Sequence, residues 1–115
     1  MFLHMISEEL RYRLFKLIEA NPAMSQRDVA RAMGVSLGKV NYCLNALIGK
    51  GWVKAGNFKN SRNKAAYLYL LTPRGFQEKA AVTASFLQRK MAEHDALKEE
   101  IQLLRRESVK GRRRQ

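Results

Sequence analysis

Two helix-capping serines, separated by a short segment with one glycine, constrain the fold of this chain most strongly. Ser25 precedes one amphipathic run and Ser36 precedes another, and Gly34 lies between the runs. Serine is a preferred N-cap because its hydroxyl accepts a hydrogen bond from the first turn of the helix. Glycine takes the positive φ that commonly ends a helix. The spacing therefore predicts two short helices joined by a tight turn, as in a helix-turn-helix.

Gly34 and two further positions have the residue types that such a crossing of helices needs. Ala30 is small enough for close approach, Gly34 begins the turn, and Val40 anchors the second helix. The remaining inward positions are apolar: Val29, Met33, Val35 and Cys43. This pattern is specific only in combination with the two capped helix starts and the basic hairpin that follows.

The rest of the chain predicts the surrounding elements. The apolar period predicts helices over 7–20, 25–33 and 37–49, strands over 52–55 and 67–71 joined by a polar turn, and a long helix from 73 to about 108. We therefore predict a mainly α fold, an α+β winged helix with a two-stranded wing and a long C-terminal dimerisation helix. The predicted domains are a DNA-binding domain over 1–72, the dimerisation helix over 73–108 and a basic disordered tail over 109–115.

Basic charge is concentrated in the middle of the chain. The net charge is +12, from 22 Lys and Arg against 10 Asp and Glu. Residues 29–77 contain no acidic side chain, and their basic ones are Arg31, Lys39, Lys50, Lys54, Lys59, Arg62, Lys64 and Arg74. Such a stretch either forms an ordinary solvated basic surface or binds a polyanion. Together with the helix-turn-helix it predicts double-stranded DNA as the partner.

The third helix is the candidate recognition helix, because the second helix of this motif enters the major groove. Its outward residues are Ser36, Leu37, Gly38, Lys39, Asn41, Tyr42 and Asn45, the second helix adds Ser25, Gln26 and Arg27 as support, and the wing carries Lys59, Asn60, Ser61, Arg62 and Lys64. Lys39 suits guanine, either asparagine suits adenine, and Arg62 suits the minor groove. The alternative is an ordinary exposed polar helix face and a loop kept soluble by charge.

From residue 25 to 75 the chain resembles the winged helix of the MarR-family regulators. The matching pieces are Ser36-x-x-Lys39-Val40, the helix end from Leu47 to Val53, the segment from Leu71 to Gly75, and Asn60-Ser61-Arg62, which resembles the family's Asp-x-Arg. The resemblance implies a homodimer on a pseudo-palindromic operator, with Arg62 in the minor groove. Asn60 departs from the family's acid, so the ion pair that steadies this arginine is not carried over. Within the family, the chain resembles a short subgroup associated with exopolysaccharide (EPS) genes.

The long helix carries an interrupted apolar seam. Two series repeat every seven residues: Phe76, Thr83, Lys90, Leu97 and Leu104, and Ala80, Leu87, His94, Ile101 and Ser108. Lys90 and His94 divide the seam into 76–87, which would pack on the domain or on a partner, and 97–104, a short coiled coil. The predicted dimerisation residues are Phe76, Ala80, Thr83, Leu87, Leu97, Ile101 and Leu104. Parallel and antiparallel pairings both remain open.

Other functional sites are not indicated. Cys43 faces inward, which favours a structural thiol over a redox sensor, and Trp52 at a strand start is expected in the core rather than stacked on a base. His4 and His94 lie far apart without metal-ligand spacing, and no catalytic constellation is present, so we expect no metal, no cofactor and no enzyme. The absence of a signal peptide or spanning stretch predicts a cytoplasmic protein. Whether a small-molecule effector exists is left open, because the chain is short for the family's ligand pocket.

Three other functions fit the pattern less well. A protein-interaction adaptor would use the winged helix and coil without sequence-specific DNA, and the acid-free stretch argues against it. Single-stranded RNA binding would need exposed aromatic residues, of which the recognition face has only Tyr42. A membrane-surface protein would need a broad apolar helix face, whereas the long helix has an interrupted one.

Overall fold

The structure, a computed structural model, describes residues 6–58 and 66–114. Its elements in chain order are α1 (Glu8–Ala20), α2 (Gln26–Met33), α3 (Leu37–Gly49), β1 (Val53–Phe58), β2 (Ala66–Leu71) and α4 (Pro73–Arg114). The predicted mainly helical fold with a two-stranded wing and a long C-terminal helix is confirmed. The chain divides into two compact units, Met1–Thr83 and Ala84–Gln115.

Three serines start the first three helices, including the predicted caps Ser25 and Ser36. The hydroxyls of Ser7, Ser25 and Ser36 each accept a hydrogen bond of 3.1 Å from the backbone N–H three residues later. Gly34 ends α2 with φ at 69° in the left-handed region. These local hydrogen bonds satisfy backbone groups that a helix end leaves without a partner, and they fix where each helix begins and ends.

The core of the first unit is apolar and receives side chains from every element. Phe15 and Leu14 of α1 are fully buried at its centre. The ring of Phe15 lies 6.3 Å from that of Trp52, which is half-buried against the core, so the prediction of a core role for Trp52 is confirmed. The other buried members are Ile6, Leu10, Ile18, Val29, Met33, Val40, Cys43, Leu44, Leu47, Val53, Tyr69 and Val82. This core holds α2 and α3 in place.

The wing strands are longer than predicted. They pair antiparallel from Val53 opposite Leu71 to Phe58 opposite Ala66. The predicted first strand began one residue too early, because the N–H of Trp52 bonds back to the carbonyl of Leu47 at 3.0 Å and closes α3. The predicted first strand also ended too early. Gly56 and its neighbours have weak intrinsic strand propensity, but pairing with β2 holds them in the strand.

The start of α4 is fixed to the turn that follows α3. The hydroxyl of Thr72 accepts from the N–H of Gly75 at 3.0 Å and donates to the carbonyl of Gly51 at 2.6 Å. The N–H of Thr72 bonds to the carbonyl of Trp52 at 3.0 Å. A Cβ at Gly75 would lie 1.9 Å from that carbonyl oxygen, so only glycine fits there. Thr72 therefore caps the start of α4.

Within the first unit, α4 packs through a face that the sequence did not single out. Val82 is buried, Arg11 pairs with Glu78 at 3.2 Å, and Lys79 pairs with Glu19. The predicted seam residues of this segment, Phe76, Ala80 and Thr83, are exposed instead. Of the two predicted alternatives, packing of these residues on the domain is wrong, because the close approach at Gly75 and the two ion pairs turn the neighbouring face inward. Packing on a partner stays a prediction.

The second unit is helical and has no buried side chain between residues 84 and 112. Its exposed large apolar side chains are Leu87, Met91, Leu97, Ile101, Leu103, Leu104 and Val109. The helix continues to Arg114, so the prediction of an end near 108 followed by disorder was wrong over 109–114. Lys and Arg are good helix formers and are favoured at a helix C-terminus.

Over the described residues, no helix is both long enough and apolar enough to cross a membrane.

Candidate nucleic-acid interface

A tight left-handed turn sets the angle between α2 and α3. The N–H of Val35 bonds to the carbonyl of Ala30 at 3.1 Å, and the N–H of Gly34 bonds to that of Arg31 at 3.3 Å. Val29 and Met33 of α2 and Val40 of α3 are buried on either side of the turn. The turn and these three side chains hold α3 as a rigid element, with one face in the core and the other in solvent.

The outward face of α3 presents all seven residues predicted for a recognition helix. Each of them is exposed: Ser36, Leu37, Gly38, Lys39, Asn41, Tyr42 and Asn45. Leu37 is 41% exposed although it is large and apolar, so it is available for contact with a partner surface. The hydroxyl of Ser36 accepts from the N–H of Lys39 as the helix cap and keeps its own proton for a further acceptor.

The two asparagines of this face are bonded to each other. The amide Nδ2 of Asn45 donates to Oδ1 of Asn41 at 2.8 Å. The two residues are four positions apart and therefore neighbours on the helix surface. This bond constrains two flexible side chains before any partner arrives, and it does not use the Nδ2 donors of Asn41.

The predicted support residues of α2 have different roles. The hydroxyl of Ser25 caps the helix, and Arg27 is exposed. Gln26 is half-buried, and its Nε2 donates to the hydroxyl of Tyr69 at 3.0 Å. Since the N–H of Tyr69 also bonds to the carbonyl of Pro22 at 3.1 Å, this pair fastens the wing strand β2 to the start of α2. Gln26 therefore positions the wing.

Sequence reasoning missed Arg31 as a member of this surface. Its side chain is 83% exposed and lies 4.0 Å from the carboxylate of Asp28. It shares a shallow concavity of about 620 Å³ with Arg27, Leu37 and the turn residues between the helices. The signal was present, because Arg27 and Arg31 are four residues apart and must lie on one face of a helix.

The basic side chains of the acid-free stretch point to solvent wherever the structure describes them. Arg31, Lys39, Lys50, Lys54 and Arg74 are all exposed, and the described residues include no buried charged side chain. These positive charges are exposed, and no acidic side chain in the same stretch balances them. They therefore create a positive potential that attracts polyanions. The first unit therefore combines an ordered helix face with a positive surface.

The predicted wing-tip residues Lys59, Asn60, Ser61, Arg62 and Lys64 lie outside the described residues. The strands that carry the tip, β1 and β2, are described to residues 58 and 66.

Cys43 is a structural thiol of α3. It is 2% exposed, and burial raises the pKa of its thiol, an effect that the nearby charge of Lys39 only partly opposes. A raised pKa means less thiolate, the reactive form, at neutral pH. Among the residues that the structure describes, no group of three His, Cys, Asp or Glu side chains is placed to hold a metal ion.

Residues 7–54, which include α1, α2, α3 and the start of β1, match the family model of winged helix-turn-helix DNA-binding domains. No curated protein and no solved structure is significantly similar to the chain. Residues 7–54 are thus similar to winged helix-turn-helix DNA-binding domains, and this similarity supports binding to double-stranded DNA.

Proposed function

We propose that this protein is a sequence-specific transcription regulator that binds a pseudo-palindromic DNA operator as a homodimer. The observation that carries the proposal is the outward face of α3, an ordered polar surface held by a capped helix-turn-helix in a domain whose middle stretch has no acidic residue. The match of residues 7–54 to winged helix-turn-helix DNA-binding domains supports it. The MarR-like motifs noted above extend it to a repressor of that family.

Each residue of the face has a role that its chemistry suits. Lys39 donates to O6 and N7 of guanine, and Asn41 or Asn45 pairs with N6 and N7 of adenine in the major groove. Ser36 and Tyr42 donate to phosphates, as do the backbone N–H groups at the start of α3. Gly38 allows the helix backbone to approach the DNA closely.

The arginines of α2 hold the flanking phosphates. Arg27 and Arg31 border the concavity next to the start of α3, and both are exposed. Contacts of this kind position a protein on the duplex without reading its sequence. They also make the affinity fall steeply as salt rises, because each neutralised phosphate releases counterions.

Arg62 is the proposed reader of the minor groove. Lys59, Asn60, Ser61 and Lys64 accompany it at the wing tip and contact phosphates. A narrow A·T-rich minor groove has an enhanced negative potential, which favours an inserted arginine. In a gel-shift titration, Arg62→Ala should weaken binding most at sites with an A·T-rich wing contact, and an unchanged affinity would remove Arg62 from this role.

The homodimer forms through the second unit, where Leu97, Ile101 and Leu104 are exposed. Two recognition helices then read two half-sites about one helical turn, roughly 10 bp, apart. A dimer bound over a promoter excludes RNA polymerase, which is the basis of the proposed repression. The resemblance to the EPS-associated subgroup makes exopolysaccharide genes the proposed targets.

The test is selection from random duplex DNA by the full-length protein at roughly 150 mM salt, where non-specific attraction is screened. A Lys39→Ala, Asn41→Ala double variant, selected in parallel, is the matched control. We expect a palindrome that only the unmodified chain enriches. The absence of an enriched sequence, or the same palindrome from both proteins, would overturn the proposal as stated.

A protein-interaction adaptor is the second candidate, and the exposed apolar side chains of the second unit favour it. In that function the winged domain and the helix each bind a protein, and the DNA selection yields no sequence. Binding to DNA of any sequence at low salt alone would be the expected behaviour of such a basic module.

A further inference from the structure

The second unit has the seam of a two-stranded coiled coil. Ile101 lies four residues after Leu97 and three before Leu104, which is the alternating 4-3 spacing of a heptad repeat with Ile101 at position a and both leucines at position d. These side chains are 54%, 41% and 55% exposed in the order Leu97, Ile101, Leu104. A β-branched residue at a with leucine at d favours two parallel strands.

The positions beside the seam carry one sign of charge on each edge. Position g is occupied by Glu93, Glu100 and Glu107, and position e by Lys98, Arg105 and Arg112. All six side chains are exposed. One edge of the helix is therefore acidic and the other basic over three successive heptads.

Charge complementarity selects the orientation of a second copy. In a parallel pair, each g residue faces the e residue five positions later in the other copy, so Glu93 meets Lys98, Glu100 meets Arg105, and Glu107 meets Arg112. In an antiparallel pair, g edges face each other and e edges face each other. Glutamate then lies opposite glutamate, and lysine or arginine lies opposite lysine or arginine. Interhelical pairs at these positions set partner choice and orientation.

Pairing within one helix explains only part of this pattern, namely Glu93, which pairs with Lys90 at 3.2 Å. Side chains interact along a helix at spacings of three and four residues. Glu100 has only alanine and leucine at those spacings, and Arg105 has only Ile, Gln, Ser and Val. These two charges are therefore available to another helix.

We infer that residues 93–112 of α4 bind the same residues of a second copy as a parallel, in-register coiled coil. The inference rests on the proposed homodimer and adds its geometry. One heptad further towards the N-terminus, positions g and e are occupied by Phe86 and Met91, which are both apolar. The charged edges therefore begin at Glu93. In a parallel pair, Thr83 of both copies is joined to the same end of the coil, whereas in an antiparallel pair the two lie at opposite ends.

Disulfide formation at Ser108 tests the orientation directly in the full-length chain. Ser108 is at position a, so in a parallel pair it lies opposite Ser108 of the other copy. The Ser108→Cys variant should therefore cross-link almost completely on mild oxidation. In an antiparallel pair with the same leucine and isoleucine layers, Ser108 faces Leu97, and the two cysteines are about 16 Å apart along the axis. A disulfide needs Cα atoms within about 7 Å, so no cross-link would form.

Two controls accompany this variant. Gln102→Cys is the matched control, because position b faces solvent in either orientation, and it should cross-link less than a tenth as much. The unmodified chain, whose one cysteine is the buried Cys43, should not cross-link. A cross-link at Gln102 equal to that at Ser108, or none at Ser108, would overturn the inference.

Charge reversal gives opposite signs for the two orientations. In a parallel dimer, Glu100→Arg replaces two attractions to Arg105 by repulsions and should raise the dimer dissociation constant roughly tenfold at low salt. Adding Arg105→Glu should restore it. In an antiparallel dimer, Glu100→Arg would remove a repulsion from Glu107 and tighten the dimer. Sedimentation equilibrium measures both, and 1 M salt should abolish the difference.

The same variants, taken through the DNA selection, separate failure of the inference from failure of the proposed function. An enriched palindrome without a Ser108 cross-link means a dimeric regulator with another interface. A Ser108 cross-link without an enriched sequence means a parallel dimer that does not read DNA. A chain that stays monomeric at all concentrations overturns both the inference and the proposal that a homodimer binds the operator.

Discussion

The two units of the chain treat their apolar side chains in opposite ways. Residues of the first unit bury a continuous core around Phe15 and Leu14, whereas the second exposes leucines such as Leu97 and Leu104 to more than half of their surface. A single helix in water is marginal even with good helix formers, because most helical stability in proteins comes from packing. The first unit is therefore stabilised by contacts within its own chain, and the proposed dimer would cover the apolar side chains that the second unit exposes.

Aspartates in the seam of the second unit should have the largest expected effect, because they weaken the proposed dimer. Leu97→Asp with Ile101→Asp places two charges in each half of a buried interface, so the dimer dissociation constant should rise at least 100-fold, by roughly 3 kcal/mol or more. Light scattering should report a monomer, and operator affinity should fall with it. The unfolding of the first unit, followed by fluorescence of Trp52, should not change.

Leu103→Asp is the control for that variant. Leu103 is 57% exposed, close to the 54% of Leu97, but it lies outside the seam. Exposure in the single chain therefore does not distinguish the two leucines, and only a partner does. A dimer that survives the double aspartate variant would place the interface elsewhere.

Gly75→Ala attacks the first unit instead. The new Cβ would lie 1.9 Å from the carbonyl oxygen of Trp52, so backbone must move, and the free energy of unfolding should fall by roughly 1–3 kcal/mol. Gly38→Ala is the same change in the same unit with nothing within 4 Å, and its greater helix propensity should raise stability by up to about 1 kcal/mol. Two shifts of the same sign in chemical denaturation would contradict the packing at Gly75.

Asn41→Ala tests whether the ordered face of the first unit reads bases. Loss of a bidentate adenine contact should weaken operator binding by about 1–3 kcal/mol and leave non-specific binding nearly unchanged. Gln77→Ala removes an exposed amide elsewhere in the same unit and should have no effect. Equal losses on operator and random duplex in fluorescence anisotropy would reduce Asn41 to a phosphate contact.

His94→Leu sharpens the comparison in the other direction, with the smallest effect. His94 interrupts the seam at an a position, and a polar residue there lowers coiled-coil stability. Leucine should lower the dimer dissociation constant by up to about tenfold, measured by dilution in analytical ultracentrifugation. Ala92→Leu adds an apolar side chain on the outer face and should leave the constant unchanged, unless the seam lies on that side.

Local chemistry made much of the first unit predictable. The starts of α1, α2 and α3 follow from serines whose hydroxyls act within three residues, and the end of α2 follows from Gly34. Such signals do not depend on the rest of the fold, so a sequence shows them in full. The same is true of the exposed face of α3, which follows from the period of its buried residues.

Long-range contacts explain what the sequence did not predict. Gln26 looked like a support residue for DNA, and its bond to Tyr69 joins positions far apart in the chain. In α4 the apolar period favoured Phe76 and Ala80, but Val82 is the residue that is buried. The close packing of Gly75 against the carbonyl of Trp52 sets this face, and the period of apolar residues does not reveal such a contact. The helix end failed for a related reason, since a run of basic residues is compatible with both disorder and a helix.

The joint at Thr72, where the start of α4 meets the turn after α3, is made of backbone groups, one hydroxyl and the absent side chain of Gly75, and none of its partners lies beyond Phe76. Its geometry is therefore indifferent to the sequence that follows Thr83, where the first unit ends. In evolutionary terms the joint is an adaptor of fixed shape: recombination after Thr83 can exchange one C-terminal helix for another while the first unit keeps its fold. The same property makes the end of the first unit a natural fusion point for a designed helix of chosen oligomeric state.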